Sequence, residues 1–180
     1  MRVGHFPGNG SLCGLTALAD TVLVWSGGTS NVCLRTGGAS RVFTRQSGMV
    51  DFLPAGTVIE RVQWDGEATG CVSSVLQPMQ ALEWLGEDHT PFDPEQDLRL
   101  CVTDAHIVDL VRRLQAQAAG GLPWGTLYVE GLSLALASYV YARYTSRAPV
   151  GVSRDAELSS GLRDYMRPAN TNGIALRSGL

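Results

Sequence analysis

Trp25, Phe43 and Trp64, with the guanidinium of Arg61, are the side chains best suited to hold a small molecule in this sequence. All four fall in segments read below as strands. Aromatic walls take flat or apolar groups, and one cation fixes an oxygen, so a small barrel lined this way suits a sugar or an organic acid. The competing reading is structural, because strand aromatics usually fill cores and arginines usually lie at the surface. Covalent chemistry has less behind it. Asp51, Glu60, Asp65 and Glu67 could suggest paired carboxylates for acid–base work, but a solvated strand edge is the reading preferred for them. His5, His89 and His106 lie outside the predicted strands, so no two imidazoles on neighbouring strands can build a divalent-metal site. Cys13, Cys33, Cys71 and Cys101 form no C-x-x-C pair, which argues against zinc and for reduced thiols, two or three of them buried. The glycines of Gly8-x-Gly10-x-x-x-Gly14 depart from the dinucleotide fingerprint and follow no strand-length segment, so they read as a flexible start.

Charge narrows the partners. The formal charge is −3 over 180 residues, and the 14 basic residues are arginines scattered from Arg2 to Arg177. Only Arg112 and Arg113 adjoin, so the basic stripe of a protein that holds DNA unaided is missing. With 44% hydrophobic and 17% charged residues the chain can bury a sizeable core. The longest apolar run, within Leu132 to Val140, is far shorter than the roughly 20 residues of a membrane span. No signal peptide is recognised, and the expectation is a soluble cytoplasmic protein with no membrane contact.

Those side chains need a frame. Between Thr21 and Leu76, short Val-, Thr- and aromatic-rich runs alternate with glycine-rich punctuation, the pattern of antiparallel strands. The spacing predicts strands at Thr21–Trp25, Asn31–Arg35, Arg41–Arg45, Val50–Leu53, Val58–Trp64 and Cys71–Leu76. Asp65-Gly66 predicts a hairpin joining the last two. Met1 to Leu15 looks unlike a complete first strand pair. After Leu76 the period lengthens: Pro78, Met79, Leu82 and Leu85 predict a short docking helix ended by Gly86. A surface connection follows, with one strand at Asp97–Cys101. Asp104 is the expected N-cap of a helix whose Ile107, Leu110, Val111, Leu114 and Ala118 share a face, ended by Gly120-Gly121. A second helix, from about Thr126 to Tyr144, is apolar nearly all round and needs cover on two sides. A partner subunit placed against Leu132, Leu134, Leu136, Tyr139, Val140 and Tyr141 would supply it; burial inside one chain is the alternative. Beyond Ser146 the sequence turns polar, with two helical turns expected at Leu158–Met166 before Pro168.

Two resemblances organise these expectations. Gly48, Pro54, Gly56, Ile59 and Gln63 follow the spacing of the second cupin motif, with Ile59 where that motif has its metal-binding histidine and Gln63 where it has asparagine. The stretch from Leu76-Gln77-Pro78 through Asp93-Pro94 and Thr103-Asp104 to Leu127–Ala137 resembles the sensor region of AraC-family transcription regulators. The resemblance implies an α+β fold: a partial cupin-like antiparallel β-barrel, a short helix, then two antiparallel α-helices. It implies three regions, with effector binding at 1–77, helical dimerisation at 78–147, and a linker with the truncated start of a DNA-binding region at 148–180. The expected role is effector sensing and homodimerisation, without catalysis, metal or cofactor, DNA being reached only through a helix-turn-helix region absent from this chain. The rival is a metal-dependent cupin-type enzyme acting on a small polar substrate, which Ile59 argues against. A third reading is a dimerisation module whose barrel is filled by its own side chains.

Overall fold

The computed structural model describes residues 1–76 and 92–144. The expected helix at 78–85 and the turns at 158–166 lie outside these. Nine strands come first: β1 (Arg2–Phe6), β2 (Asn9–Thr16), β3 (Thr21–Gly27), β4 (Ser30–Thr36), β5 (Ala39–Arg45), β6 (Met49–Leu53), β7 (Val58–Gly66), β8 (Thr69–Val75) and β9 (Arg99–Thr103). Two helices follow, here α1 (Ala105–Ala119) and α2 (Thr126–Tyr144). The strands make two antiparallel sheets, β1-β8-β3-β6-β9 and β2-β7-β4-β5, and among the described residues no hydrogen-bonded strand pair closes one onto the other. The fold class is the α+β, cupin-like one expected from the sequence.

Period-two alternation sorts β3 and its neighbours into two faces. Val22 and Val24 stand opposite Phe52 and Val50 on one side, and Val24 opposite Val72 on the other. These five side chains join Ile107, Val111, Leu136 and Val140 in one buried cluster, so that face carries the helices. The alternate residues, among them Trp25, Asp51 and Cys71, face away from the helices. One strand is thus apolar toward its helices and mixed toward the other sheet, which a one-residue slip would reverse.

Three expectations about the strands need correction. Residues 2–16 are not a loose start: β1 pairs with β8 and β2 with β7. His5 consequently lies in a strand, exposed on β1. The early glycines serve packing, for a Cβ on Gly10 would sit 2.3 Å from the Trp64 ring. Gly14 takes φ +66° where β2 skips one pairing position. Asp65-Gly66 does not join β7 to β8 in a hairpin, because β7 pairs with β2 and β4 while β8 pairs with β1 and β3. The turn instead carries the chain from one sheet to the other, with Gly66 at φ +142° and its α-carbon too close to Thr29 for any side chain. The last strand begins two residues later than expected, at Arg99.

The helical layer follows its sequence closely. Asp104 caps α1, accepting from the backbone N–H groups of His106 and Ile107 at 3.1 and 3.2 Å. Ile107, Leu110, Val111 and Leu114 are buried as their spacing requires. Ala118 is exposed; Gln117 is buried in its place, its Oε1 accepting from the Trp124 N–H at 3.2 Å across the turn into α2. The far end of α2 returns to the start of α1, where the hydroxyls of Tyr139 and Tyr144 donate to Asp104 at 3.2 and 2.9 Å. The two helices are therefore antiparallel.

Candidate ligand site between the sheets

Alternation along β5 and β6 brings a cation and a carboxylate together between the sheets. The Arg45 Nη2 donates to Asp51 Oδ2 at 2.9 Å, and the two side chains are 7% and 2% exposed. The indole Nε1 of Trp25 donates to the same oxygen at 2.8 Å. The Arg45 guanidinium lies 3.6 Å from the centroid of the Trp25 ring and 5.6 Å from that of Phe43. A guanidinium tolerates such burial because its flat face stacks on the indole while its edge meets the carboxylate. Phe6 closes one side, with ring centroids 5.4 Å from Trp25 and 5.6 Å from Trp64. Trp64 is fixed in turn by Pro7, whose carbonyl accepts from its Nε1 at 2.8 Å.

The second Asp51 oxygen leaves the pair for β9. Oδ1 accepts from the Cys101 backbone N–H at 2.7 Å, where the register between β6 and β9 slips. Cys101 takes φ +53°, a left-handed conformation that costs a non-glycine residue about 1 kcal/mol or more. The buried carboxylate holds that kink. Burial, and then the charge of Asp51, push the Cys101 thiol up to about 11, and burial raises Cys71 as well. Both are neutral thiols near neutral pH. Cys13 is exposed and Cys33 half-buried, and none of these cysteines is in a disulfide.

Of the four expected ligand contacts, Trp25 and Trp64 are buried and Phe43 half-buried, with Trp25 and Phe43 gathered around Arg45. Arg61 is not with them. It is exposed, three residues from Trp64 on β7 and so on the opposite face of the strand. The cation that faces the aromatics is Arg45, not one of the expected contacts although it shares parity with Phe43 on β5. Asp51, read as part of a solvated edge, is 1% exposed. Ile59 is buried and Gln63 exposed on β7. Among the described residues no three His, Cys, Asp or Glu side chains are placed to share a metal ion.

Two concavities lie away from this pair. One of about 400 Å³ opens between the β5–β6 turn and α1, beside Gln46, Met49, Thr103, Val108 and Arg112. The other, about 540 Å³, lies over the four-stranded sheet beside Asn31, Cys33, Val42 and Gln63.

On α2, Leu136 and Val140 are taken up by the chain's own core at 1% and 0% exposure. Two of the six residues expected at an interface are thus already covered. Leu132, Leu134, Tyr139 and Tyr141 are half-buried. Tyr141 packs on Phe92 with centroids 4.3 Å apart. More open apolar surface lies nearer the start of the helix: Trp124 at 74% and Leu127 at 80% exposure, flanked by Leu122 and Tyr128. No helix among the described residues is long and apolar enough to cross a membrane.

No family model matches the sequence, and no curated protein does either. Solved structures do match in fold. The crystal structure of ToxT from Vibrio cholerae O395 is 12% identical, with TM-score 0.53 over 80% of this chain and 54% of that one. The same protein bound to (E)-4-(8-methylnaphthalen-1-yl)but-3-enoic acid is 13% identical, with TM-score 0.50 over 79% of this chain and 56% of that one. ToxT is an AraC-family regulator, so the fold found is one used by the family that the sequence resembles. This chain spans about half the length of those ToxT chains. An oxalate oxidase also aligns, 13% identical over 68% of this chain and 62% of that one, but its TM-score of 0.31 carries no argument.

Proposed function

We propose that this chain is the effector-sensing and self-associating part of an AraC-family transcription regulator, taking a small molecule between its sheets and pairing with a second copy through α2. The observation that carries the reading is the Asp51 carboxylate. It touches Arg45 and Trp25 on the ligand side and the Cys101 N–H on β9, two residues before the strand ends and α1 begins. A ligand that changes the Arg45–Asp51 contact therefore acts on the segment that positions α1, and through Asp104 on α2. Such a ligand shifts the helices only by as much as its affinities for the two arrangements differ. ToxT, with a comparable fold, is known bound to an unsaturated carboxylic acid, which supports a small effector here.

The α2 surface supports pairing. Leu127, Gly131, Leu134, Ala135 and Ala142 recur along one stripe of the helix, small enough in the middle for close approach and outside the chain's own core. Each fully covered leucine would contribute about 1.5 to 3 kcal/mol before association costs. DNA would be reached through a unit other than the described strands and helices.

The test is joint. Sedimentation of the purified chain is expected to show a dimer that Leu127→Asp with Leu134→Asp converts to monomer, while a panel of small acids and polyols is screened for quenching of tryptophan emission. A chain that stays monomeric at high concentration and binds none of the panel overturns the reading. Tightly held, stoichiometric Fe, Mn or Zn in the purified protein would favour the cupin-type enzyme instead.

A further inference from the structure

Arg45 is only partly satisfied. The residue is 6% exposed, its Nη2 is matched to Asp51, and its Nε–H is buried with no hydrogen-bond partner. Ser30 stands opposite Arg45 in the β4–β5 register, and its Oγ is also buried and unpartnered, in a residue 1% exposed. Cross-strand partners project to the same side of a sheet, so the unmatched donor and the unmatched hydroxyl share one face. The next pair on that face is Val32 and Phe43, which adds an apolar wall beside the polar end.

We infer that Ser30 and Arg45 form the polar end of a ligand subsite that takes one uncharged oxygen, a hydroxyl or a carbonyl, on a small molecule whose apolar body lies against Val32 and Phe43. Arg45 Nε–H donates to that oxygen, and Ser30 Oγ donates to it or accepts from it. Charge decides the class. Arg45 is already neutralised by Asp51, so a carboxylate brought alongside would leave one negative charge unpaired in a dry interior, at a desolvation cost that an alcohol or ketone avoids. The inference rests on the sensing role proposed above and narrows its ligand to a neutral, amphipathic one.

Three ring compounds of similar shape test it: benzyl alcohol, benzoate and toluene, titrated into the full chain while the Arg45 Nε–H and Trp25 indole N–H resonances are followed. Benzyl alcohol is expected to saturate and to move the Nε–H signal, binding about tenfold more tightly than either benzoate or toluene. Ser30→Ala is expected to weaken benzyl alcohol about fivefold and leave toluene unchanged. Arg45→Lys, which keeps the charge and removes Nε, should do the same; the serine variant decides the matter if the lysine variant does not fold. Equal binding of all three compounds, an unmoved Nε–H signal under saturating benzyl alcohol, or a Ser30→Ala variant that binds like the parent overturns the subsite. A dimer that senses some other compound while failing these titrations leaves the broader reading intact. A monomer that binds benzyl alcohol at Arg45 does the reverse.

Discussion

Asp51 and Asp104 perform the same task in two different media. Each carboxylate ties together elements remote in sequence: Asp51 joins β3, β5 and β9 to β6, and Asp104 joins the start of α1 to the end of α2. Asp51 is buried against a cation, whereas Asp104 stands half-exposed at a helix N-terminus among neutral donors. A buried charge is held by a specific partner, and losing either partner strands the other; a capping charge shares its load over several small bonds and loses them piecemeal. Removing each carboxylate should therefore separate the two regions in magnitude.

The largest effect belongs to Asp51→Ala. It leaves the Arg45 guanidinium buried and uncompensated and frees the Cys101 kink, so the loss is expected to be about 3 to 5 kcal/mol in urea denaturation. Replacing the pair together, Arg45→Met with Asp51→Leu, should restore much of that loss, because the desolvation penalty then disappears from both sides. If the single variant costs under about 1 kcal/mol, Asp51 is no more than a second capping group and the contrast fails.

Next comes Asp104→Ala. Losing the cap costs about 1 kcal/mol and each of the two tyrosine bonds about 0.5 to 1 kcal/mol, for an expected total of roughly 2 to 3 kcal/mol. Asp104→Asn keeps an acceptor for the His106 and Ile107 N–H groups and should fall between that variant and the parent.

The two aspartates also differ in how far they could be read from sequence, for the same physical reason. Capping is local: it needs only the N–H groups two and three residues on, so that half of the role of Asp104 was legible, as were α1 and α2, whereas its bonds from Tyr139 and Tyr144, 35 and 40 residues away, were not. The role of Asp51 depends on partners 26 and 50 residues away, Trp25 and Cys101, whose arrival depends on sheet order. Alternation held part of the answer, since it separates Arg61 from Trp64 and joins Arg45 to Phe43. The Asp65-Gly66 turn misled because two flanking strands, a favoured turn and good spacing describe a hairpin and a crossing between sheets equally well; the choice is made by what β7 and β8 find elsewhere. The early strands were missed because Gly8, Gly10 and Gly14 hide them: Gly10 leaves room for the distant Trp64 ring, Gly8 for the Gly66 carbonyl, and Gly14 takes a positive φ.

The smallest expected effect is a slope in pH, and it sharpens the contrast because its sign follows from the Asp104 network. Burial alone would raise the Asp104 carboxyl, but hydrogen bonds from the Ile107 N–H, the Tyr144 and Tyr139 hydroxyls and the His106 N–H outweigh it and hold its pKa below the ordinary 3.8. Below that ordinary value the unfolded chain takes up a proton that the folded chain resists, so the stabilisation is fully present at higher pH and is lost as pH falls through the folded value. Tyr139 and Tyr144 run the other way. Burial, followed by the neighbouring Asp104, raises both hydroxyls above the ordinary 10, so their contribution is intact below pH 10 and is lost as pH rises beyond it. The groups facing this network are His106, whose ring lies 4.6 Å from that of Tyr139, and Arg143, whose charge opposes part of the rise at both tyrosines. Urea midpoints measured from about pH 2.5 to 6 should slope downward toward acid in the parent and more shallowly in Asp104→Asn, which has no carboxyl to protonate. Tyr139→Phe with Tyr144→Phe should shrink the acid slope by removing two of the bonds that depress the carboxyl, and flatten the alkaline one. An acid slope in Asp104→Asn equal to that of the parent would show that the stability lost below pH 4 resides in other carboxylates, and Asp104 would then be a cap and nothing more.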